Sequence, residues 1–194
     1  MKKIRLATRS SPLALVQARM AAEYLGARIS GAEFEIVEIK TSGDRRQDWS
    51  LEKFGGKGLF TKEIEDALLA GEADIAVHSA KDMPMDLSDG LCIGAVLKRE
   101  DPRDVFVTVK GRTSERMPRI IGTGSPRRQV QIMERGDVEC RLLRGNVDTR
   151  LEKLYAGEYD GIILAAAGLS RLGLLDDPRF SFEFLEPEIF IPAG

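Results

Sequence analysis

The sequence predicts an α/β protein of two similar lobes with a ligand cleft between them. Three observations carry this. Apolar runs of strand length alternate with stretches of helical spacing along the 194 residues. A strand, a polar turn, Ser-Pro and a helix occur at residues 4–16 and again at 119–130. Gly-Glu-x-Asp followed by an apolar strand occurs at 71–77 and again at 157–164. Two halves built on one βαβ plan imply two α/β lobes. The charged run 98–104 joins them, giving lobes at 1–98 and 99–188.

In chain order, Ile4-Arg5-Leu6-Ala7 reads as a first strand. Ser11 is a good N-cap and Pro12 suits the first helical turn. Leu13, Val16, Met20 and Tyr24 then fall at helical spacing, which predicts a helix to about Gly26. A second strand covers 34–39. The polar stretch 41–60 contains Gly55-Gly56-Lys57-Gly58 but lacks the Gly-Lys-Ser/Thr of a phosphate loop. It reads either as a segment able to close over a site or as a plain connection. Thr61 caps a helix to Ala70, stopped by Gly71. Strands follow at 75–77 and 92–96. In the second half, strands are predicted at 105–109, 119–121, 138–143 and 161–167, with weaker ones at 182–185 and 189–191. Helices start at Arg127 and at about Asp148.

Composition narrows the function. No run approaches the roughly 20 apolar residues of a membrane span. Arg5 and Arg9 interrupt any signal-peptide apolar region, so the expected compartment is the cytoplasm. A net charge of −2 disfavours a nucleic-acid-binding regulatory domain. Cys92 and Cys140 have no metal-ligand spacing, and no metal site is expected. Both sit in apolar strand patterns, where burial would leave a thiol inert. Arginine is unevenly spread: residues 1–98 hold 6 Arg and 8 Lys, residues 99–194 hold 13 Arg and 2 Lys. The guanidinium fork pairs with carboxylate or phosphate, so the second half is expected to carry local anion sites. Many of its arginines will also pair with the protein's own acidic residues.

The stretch Asp74-Ile75-Ala76-Val77-His78-Ser79-Ala80-Lys81-Asp82-Met83-Pro84 is central. It runs from a buried strand into a polar loop ended by proline. Lys81 and Asp82 therefore fall just past the carboxyl end of a strand, where open α/β sheets bind ligands. Such a pair alone also fits a solvated surface pair. Arg9 lies at the amino end of the first helix. With Arg127, Arg128, Arg144, Arg171 and Arg150 from the second half, the pattern predicts a ligand with several carboxylates or phosphates. One ionised aspartate among them suits a developing cation or ligand N–H groups. His78, the only histidine, reads as a base or as a hydrogen-bonded structural residue.

The motifs Ala7-Thr8-Arg9-Ser10-Ser11-Pro12-Leu13-Ala14-Leu15, Gly55-Gly56-Lys57-Gly58-Leu59-Phe60, His78-Ser79-Ala80-Lys81-Asp82, Arg99-Glu100-Asp101-Pro102-Arg103-Asp104 and Leu143-Arg144-Gly145-Asn146-Val147 resemble the porphobilinogen deaminase (hydroxymethylbilane synthase) family. The resemblance implies a transferase of tetrapyrrole and heme biosynthesis, joining four porphobilinogens head to tail with release of ammonia. It implies Asp82 as the catalytic carboxylate. Lys81, Ser125, Arg127, Arg128 and Arg144 match cofactor-binding positions, the cofactor being a covalently attached dipyrromethane. Arg9, Ser11, Arg150 and Arg171 match substrate-binding positions, and Lys57 and Phe60 a mobile cleft loop. The implied fold resembles type II periplasmic binding proteins. Residues 189–194 match the start of a crossover back to the first lobe, which would lack its closing segment. The family's third domain, bearing the attachment cysteine, has no counterpart here and is the expected partner beside the substrate. A non-catalytic two-lobed module binding a carboxylate-rich small molecule is the alternative.

Overall fold

The alternating pattern is realised as two separate sheets, in a computed structural model that describes residues 2–45, 60–112 and 119–193. The chain divides into two compact units, Met1–Lys98 and Arg99–Gly194.

In the first unit, β1 (Lys2–Arg9) leads through Ser11 into α1 (Pro12–Gly26). The Ser11 side chain accepts from the Ala14 N–H at 3.3 Å, and Pro12 opens the first turn, where its missing N–H costs nothing. Then come β2 (Ala32–Ile39), the short α2 (Ser42–Arg45), α3 (Lys62–Leu69) and the two-residue β3 (Ile75–Ala76). The order is β2-β1-β3, all parallel. Strand alternation sends Ala7 toward α3, where it clusters with Ile64 and Ala73. Leu6 and Thr8 therefore take the opposite face. There the Thr8 hydroxyl lies 3.4 Å from the Ala14 carbonyl of α1 and 3.3 Å from that of Val77.

The second unit contains β4 (Asp104–Val109), β5 (Ile120–Gly122), α4 (Pro126–Met133), β6 (Glu139–Arg141), α5 (Val147–Tyr155), β7 (Gly161–Ala165), α6 (Ala166–Arg171) and β8 (Phe180–Leu185). Its order is β6-β5-β7-β4-β8. β5 is parallel to β6 and β7, whereas β4 is antiparallel to β7 and β8. Both sheet faces are covered. Val105, Val107, Ile162 and Leu164 pack with Leu151, Leu154 and Leu169. On the other face Ile121, Ile163 and Leu185 pack with Phe190, and Phe106 and Ile132 join them. A sheet buried on both faces needs near-continuous apolar strands, which Gly161-Ile162-Ile163-Leu164-Ala165 supplies.

The internal repeat is visible in topology and contacts. β6-β5-β7 copies β2-β1-β3, with α4 and α5 in the places of α1 and α3. Ahead of β3, Asp74 accepts from the Arg5 backbone N–H at 2.8 Å. Ahead of β7, Asp160 accepts from the N–H groups of Arg119 and Ile120, each at 2.9 Å. Gly71 and Gly157, which end α3 and α5, have φ of +70° and +85°, the left-handed conformation that favours glycine. The repeated Gly-Glu-x-Asp is thus a helix stop followed by a carboxylate that stitches neighbouring parallel strands.

Three expectations are corrected. Residues 92–96 form no strand, and Cys92, Ile93 and Val96 are exposed. Gly94 interrupts the run, and β3 is too short to offer it a ladder. Residues 189–191 form no strand either. They turn onto the second unit, where Phe190 is fully buried and Gln131 grips the Ile191 peptide, accepting its N–H at 2.6 Å and donating to its carbonyl at 3.1 Å. The strand expected at 138–143 closes after Arg141, leaving Leu142 exposed.

Gly161 has its α-carbon against Phe106. A Cβ there would lie 2.4 Å from the ring. Gly161→Ala should destabilise the protein by about 1–3 kcal/mol through overpacking. Gly94→Ala, with nothing within 4 Å of its Cβ position, should be near neutral. Urea titrations of the two variants check this, and equal midpoints would contradict it.

Candidate functional site

Parallel βαβ units place strand carboxyl ends and helix amino ends along one edge of a sheet. In the first unit that edge carries Arg9 at the end of β1, Ser11 at the start of α1, and the turn after β3. Lys81 and Asp82 lie in a 3-10 turn, Ala80–Asp82, closed by the Asp82 N–H on the Ser79 carbonyl at 2.9 Å. Lys81 is exposed and Asp82 half-buried. The turn is tied to α1 through Gln17 and the Ser79 hydroxyl, 2.8 and 3.1 Å apart in two hydrogen bonds. Arg9 stacks on Phe60, its guanidinium carbon 4.1 Å from the ring centroid. Two expected site residues are thereby brought together. Lys57 lies outside the described residues, as does 46–59 of the expected cleft loop. The Ser11 hydroxyl serves as the helix cap.

His78 sits between β3 and this turn. Burial holds its pKa below the ordinary histidine value, and the Arg9 charge adds to that. The Asp82 and Glu65 carboxylates pull the other way without prevailing. Glu65 is itself buried on α3 and accepts from the Ser88 hydroxyl at 2.5 Å.

In the second unit the corresponding edge is cationic. Ser125 starts α4, its N–H donating to the buried Thr123 hydroxyl at 3.2 Å. Arg127 and Arg128 follow in the first turn, and Arg144 leaves the end of β6. Arg150 points along α5 back to the Gly145 carbonyl, 2.7 Å from its Nε. Burial lowers the Arg150 pKa, and the positive charges of Arg128 and Arg144 lower it further. Arg128, Arg144 and Arg150 therefore form one mutually repelling cluster. The Nε atoms of Arg144 and Arg171 are buried without a hydrogen-bond partner among the described residues. A buried guanidinium N–H left unpaired is costly, and a bound carboxylate would satisfy it.

Arg127 and Arg128 are not equally open to a ligand. Both donate to Asp104, Arg127 through Nη2 at 2.6 Å and Arg128 through Nη2 at 2.6 Å and Nε at 3.1 Å. Arg127 donates also to the Ile191 carbonyl, and Arg128 Nη1 to the Ile163 carbonyl at 2.9 Å. Sequence reasoning missed Asp104, which was read as part of a charged linker. Its signal was the apolar strand beginning immediately after it. Of the two cysteines, Cys92 is exposed, contrary to expectation, whereas burial raises the pKa of the Cys140 thiol. Among the described residues no group of His, Cys, Asp and Glu could hold a metal, and no helix is long and apolar enough to cross a membrane.

Residues 4–194 match the model of the family described as porphobilinogen deaminase, dipyromethane cofactor binding domain. The chain is 48% identical to a porphobilinogen deaminase of Streptococcus sanguinis (strain SK36), over 100% of the chain and 64% of that protein. It is 51% identical to one of Lawsonia intracellularis (strain PHE/MN1-00), over 90% of the chain and 58% of that protein. The chain thus spans about three-fifths of the length of these relatives. Among solved structures, the periplasmic VFT2 domain of Bordetella pertussis BvgS aligns at TM-score 0.49 and 15% identity, covering 94% of this chain and 74% of that one.

The lowered His78 pKa has a signed consequence. Between the ordinary histidine value of about 6.5 and its lower value in the folded protein, the unfolded chain takes up a proton that folded His78 resists. Stability contributed by His78 is present above that window and is lost as pH falls through it. His78→Gln should therefore melt with a smaller decrease between pH 7.5 and 5.5 than the parent. Identical decreases would remove His78 as the cause.

Proposed function

Because the chain belongs to the porphobilinogen deaminase family, we propose that it takes part in the head-to-tail condensation of four porphobilinogens, with release of ammonia, in tetrapyrrole and heme biosynthesis. Cytoplasm is the proposed setting, in keeping with two free cysteines. Porphobilinogen is the proposed small-molecule partner, and a cysteine-bearing third domain the proposed protein partner.

One observation carries the reading: the Nε groups of Arg144 and Arg171 are buried without a hydrogen-bond partner among the described residues, and Arg144 belongs to a cluster with Arg128 and Arg150. Each pyrrole of the substrate and of the dipyrromethane carries an acetate and a propionate. Such carboxylates are the acceptors these guanidinium groups lack. The residues of the second unit therefore fit the cofactor, which Ser125, Arg127, Arg128 and Arg144 would hold, and the family resemblance adds Lys81 of the first unit. Bound there, dipyrromethane supplies the pyrrole carbon to which the first substrate is joined. Arg9, Arg150 and Arg171 are proposed to hold substrate carboxylates. Ser11 would serve the substrate by fixing the start of α1 and Phe60 by covering Arg9, and Lys57 is proposed for the cleft loop on the family resemblance.

Asp82 is proposed as the catalytic carboxylate. Loss of ammonia from the aminomethyl carbon leaves a cation delocalised onto the pyrrole nitrogen. A carboxylate accepting that N–H stabilises charge as it develops, the most effective form of electrostatic catalysis. Asp82 suits the role because its turn is pinned from both sides, by the Asp82 N–H on Ser79 and by Gln17 on the Ser79 hydroxyl. Little reorganisation is then needed when charge appears.

In the protein assayed with porphobilinogen, Asp82→Asn should fold normally and lose about 10²-fold or more in turnover, the scale of removing one preorganised electrostatic group. Turnover close to that of the parent would contradict the assignment. Arg144→Lys keeps charge but loses the fork. It should weaken binding of a free dipyrromethane bearing acetate and propionate groups in calorimetry, and unchanged affinity would show that geometry at this position is irrelevant.

A further inference from the structure

Asp104 is the one acidic side chain among the buried residues described in the second unit, 2% exposed at the first position of β4. β4 is an interior strand, paired through Asp104 to Ala165 on one side and Leu185 on the other. A carboxylate at such a place must be paired, and here two guanidinium groups pair it. Oδ1 accepts from Nε and Nη2 of Arg128, and Oδ2 from Nη2 of Arg127. The two arginines then diverge. Arg127 reaches the Ile191 carbonyl, and Arg128 the Ile163 carbonyl.

We propose that Asp104 is a positioning residue for ligand binding, which fixes Arg128 so that its remaining N–H groups serve the carboxylates of the ligand. The inference rests on the reading of the arginine cluster given above. Arg128 has five N–H donors. Three are engaged, two by Asp104 and one by Ile163, all from neighbouring strands. Two remain, one on each Nη, as donors for a carboxylate. Arg128 also repels Arg150. Without a counter-charge held on a rigid strand, its long side chain would turn away from the other cations. Asp104 supplies one negative charge to two guanidinium groups, so it orders the cluster while leaving it net positive.

The test compares Asp104→Asn, Asp104→Glu and Arg144→Ala with the parent, by calorimetry with a free dipyrromethane bearing acetate and propionate groups and by NMR of the arginine Nε–H groups. The Arg128 Nε–H of the parent should exchange slowly and lie downfield. Asp104→Asn should abolish both features and weaken binding of that dipyrromethane by roughly tenfold to a hundredfold, the scale for removing a group that orients a direct ligand contact. An unchanged Arg128 signal with unchanged affinity overturns the proposal. If Asp104→Asn does not fold, Asp104→Glu decides: it keeps the charge but displaces it by one methylene, so parental affinity there also overturns the proposal. Arg144→Ala separates the two layers of inference. Unchanged affinity in that variant defeats the reading of the cluster as the ligand site, whereas reduced affinity there with parental affinity in both Asp104 variants defeats only the role of Asp104.

Discussion

A single buried carboxylate at the head of β4 holds the two arginines that open α4. Asp104 and its two arginines contribute three charges at the edge of an otherwise apolar sheet. Burying an ion pair yields little net stability, but stripping one partner leaves an uncompensated charge at a cost of about 3–5 kcal/mol. The trio is thus hard to rearrange once formed. Arg127 carries the constraint outward to Ile191, and Arg128 carries it inward to Ile163. The start of α4, the centre of β7 and the segment after β8 are consequently fixed by one group.

The same economy of parts appears in the repeated βαβ plan. In both units an aspartate before the third parallel strand accepts backbone N–H groups at the start of the first. This holds the strands in register, and register determines which residues reach the carboxyl edge. The repeat then diverges in chemistry. After β3 the chain turns through Lys81 and Asp82, with the His78 pKa held down by burial. After β7 it runs directly into α6 and Arg171. Similar backbones present a carboxylate in one unit and guanidinium groups in the other.

Much of this was legible in the sequence. Ser-Pro at a helix start, glycine at a helix end, and apolar runs such as 161–165 are local signals, and local signals are what a sequence displays. The failures are non-local. The run 92–96 has strand composition, yet no neighbour offers it a ladder, so its side chains stay exposed. Residues 189–191 look extended, but Gln131 and Arg127 claim the Ile191 peptide groups and Phe190 enters the core. Asp104 was invisible among the charges of 99–104, because only pairing across the sheet shows that its side chain is inside. Arg127 and Arg128 were legible as site residues, but their unequal engagement was not. That inequality depends on which carbonyls happen to lie in reach.

The skew from lysine to arginine along the chain now has a physical reading. Lysine is a flexible point charge, suited to the exposed turn that carries Lys81. A half-buried cluster of cations favours a group that stays charged when desolvated and whose donors point in fixed directions. Burial and neighbouring charge both lower the Arg150 pKa, and an ammonium in that position would be driven toward neutrality. Guanidinium keeps its charge under the same pressure, because its ordinary pKa is so high. The second unit can therefore hold Arg128, Arg144 and Arg150 close together with one buried carboxylate among them, and still offer net positive charge to a carboxylate-rich ligand. Lysine in those positions would have removed the repulsion by losing the proton, and the binding capacity with it.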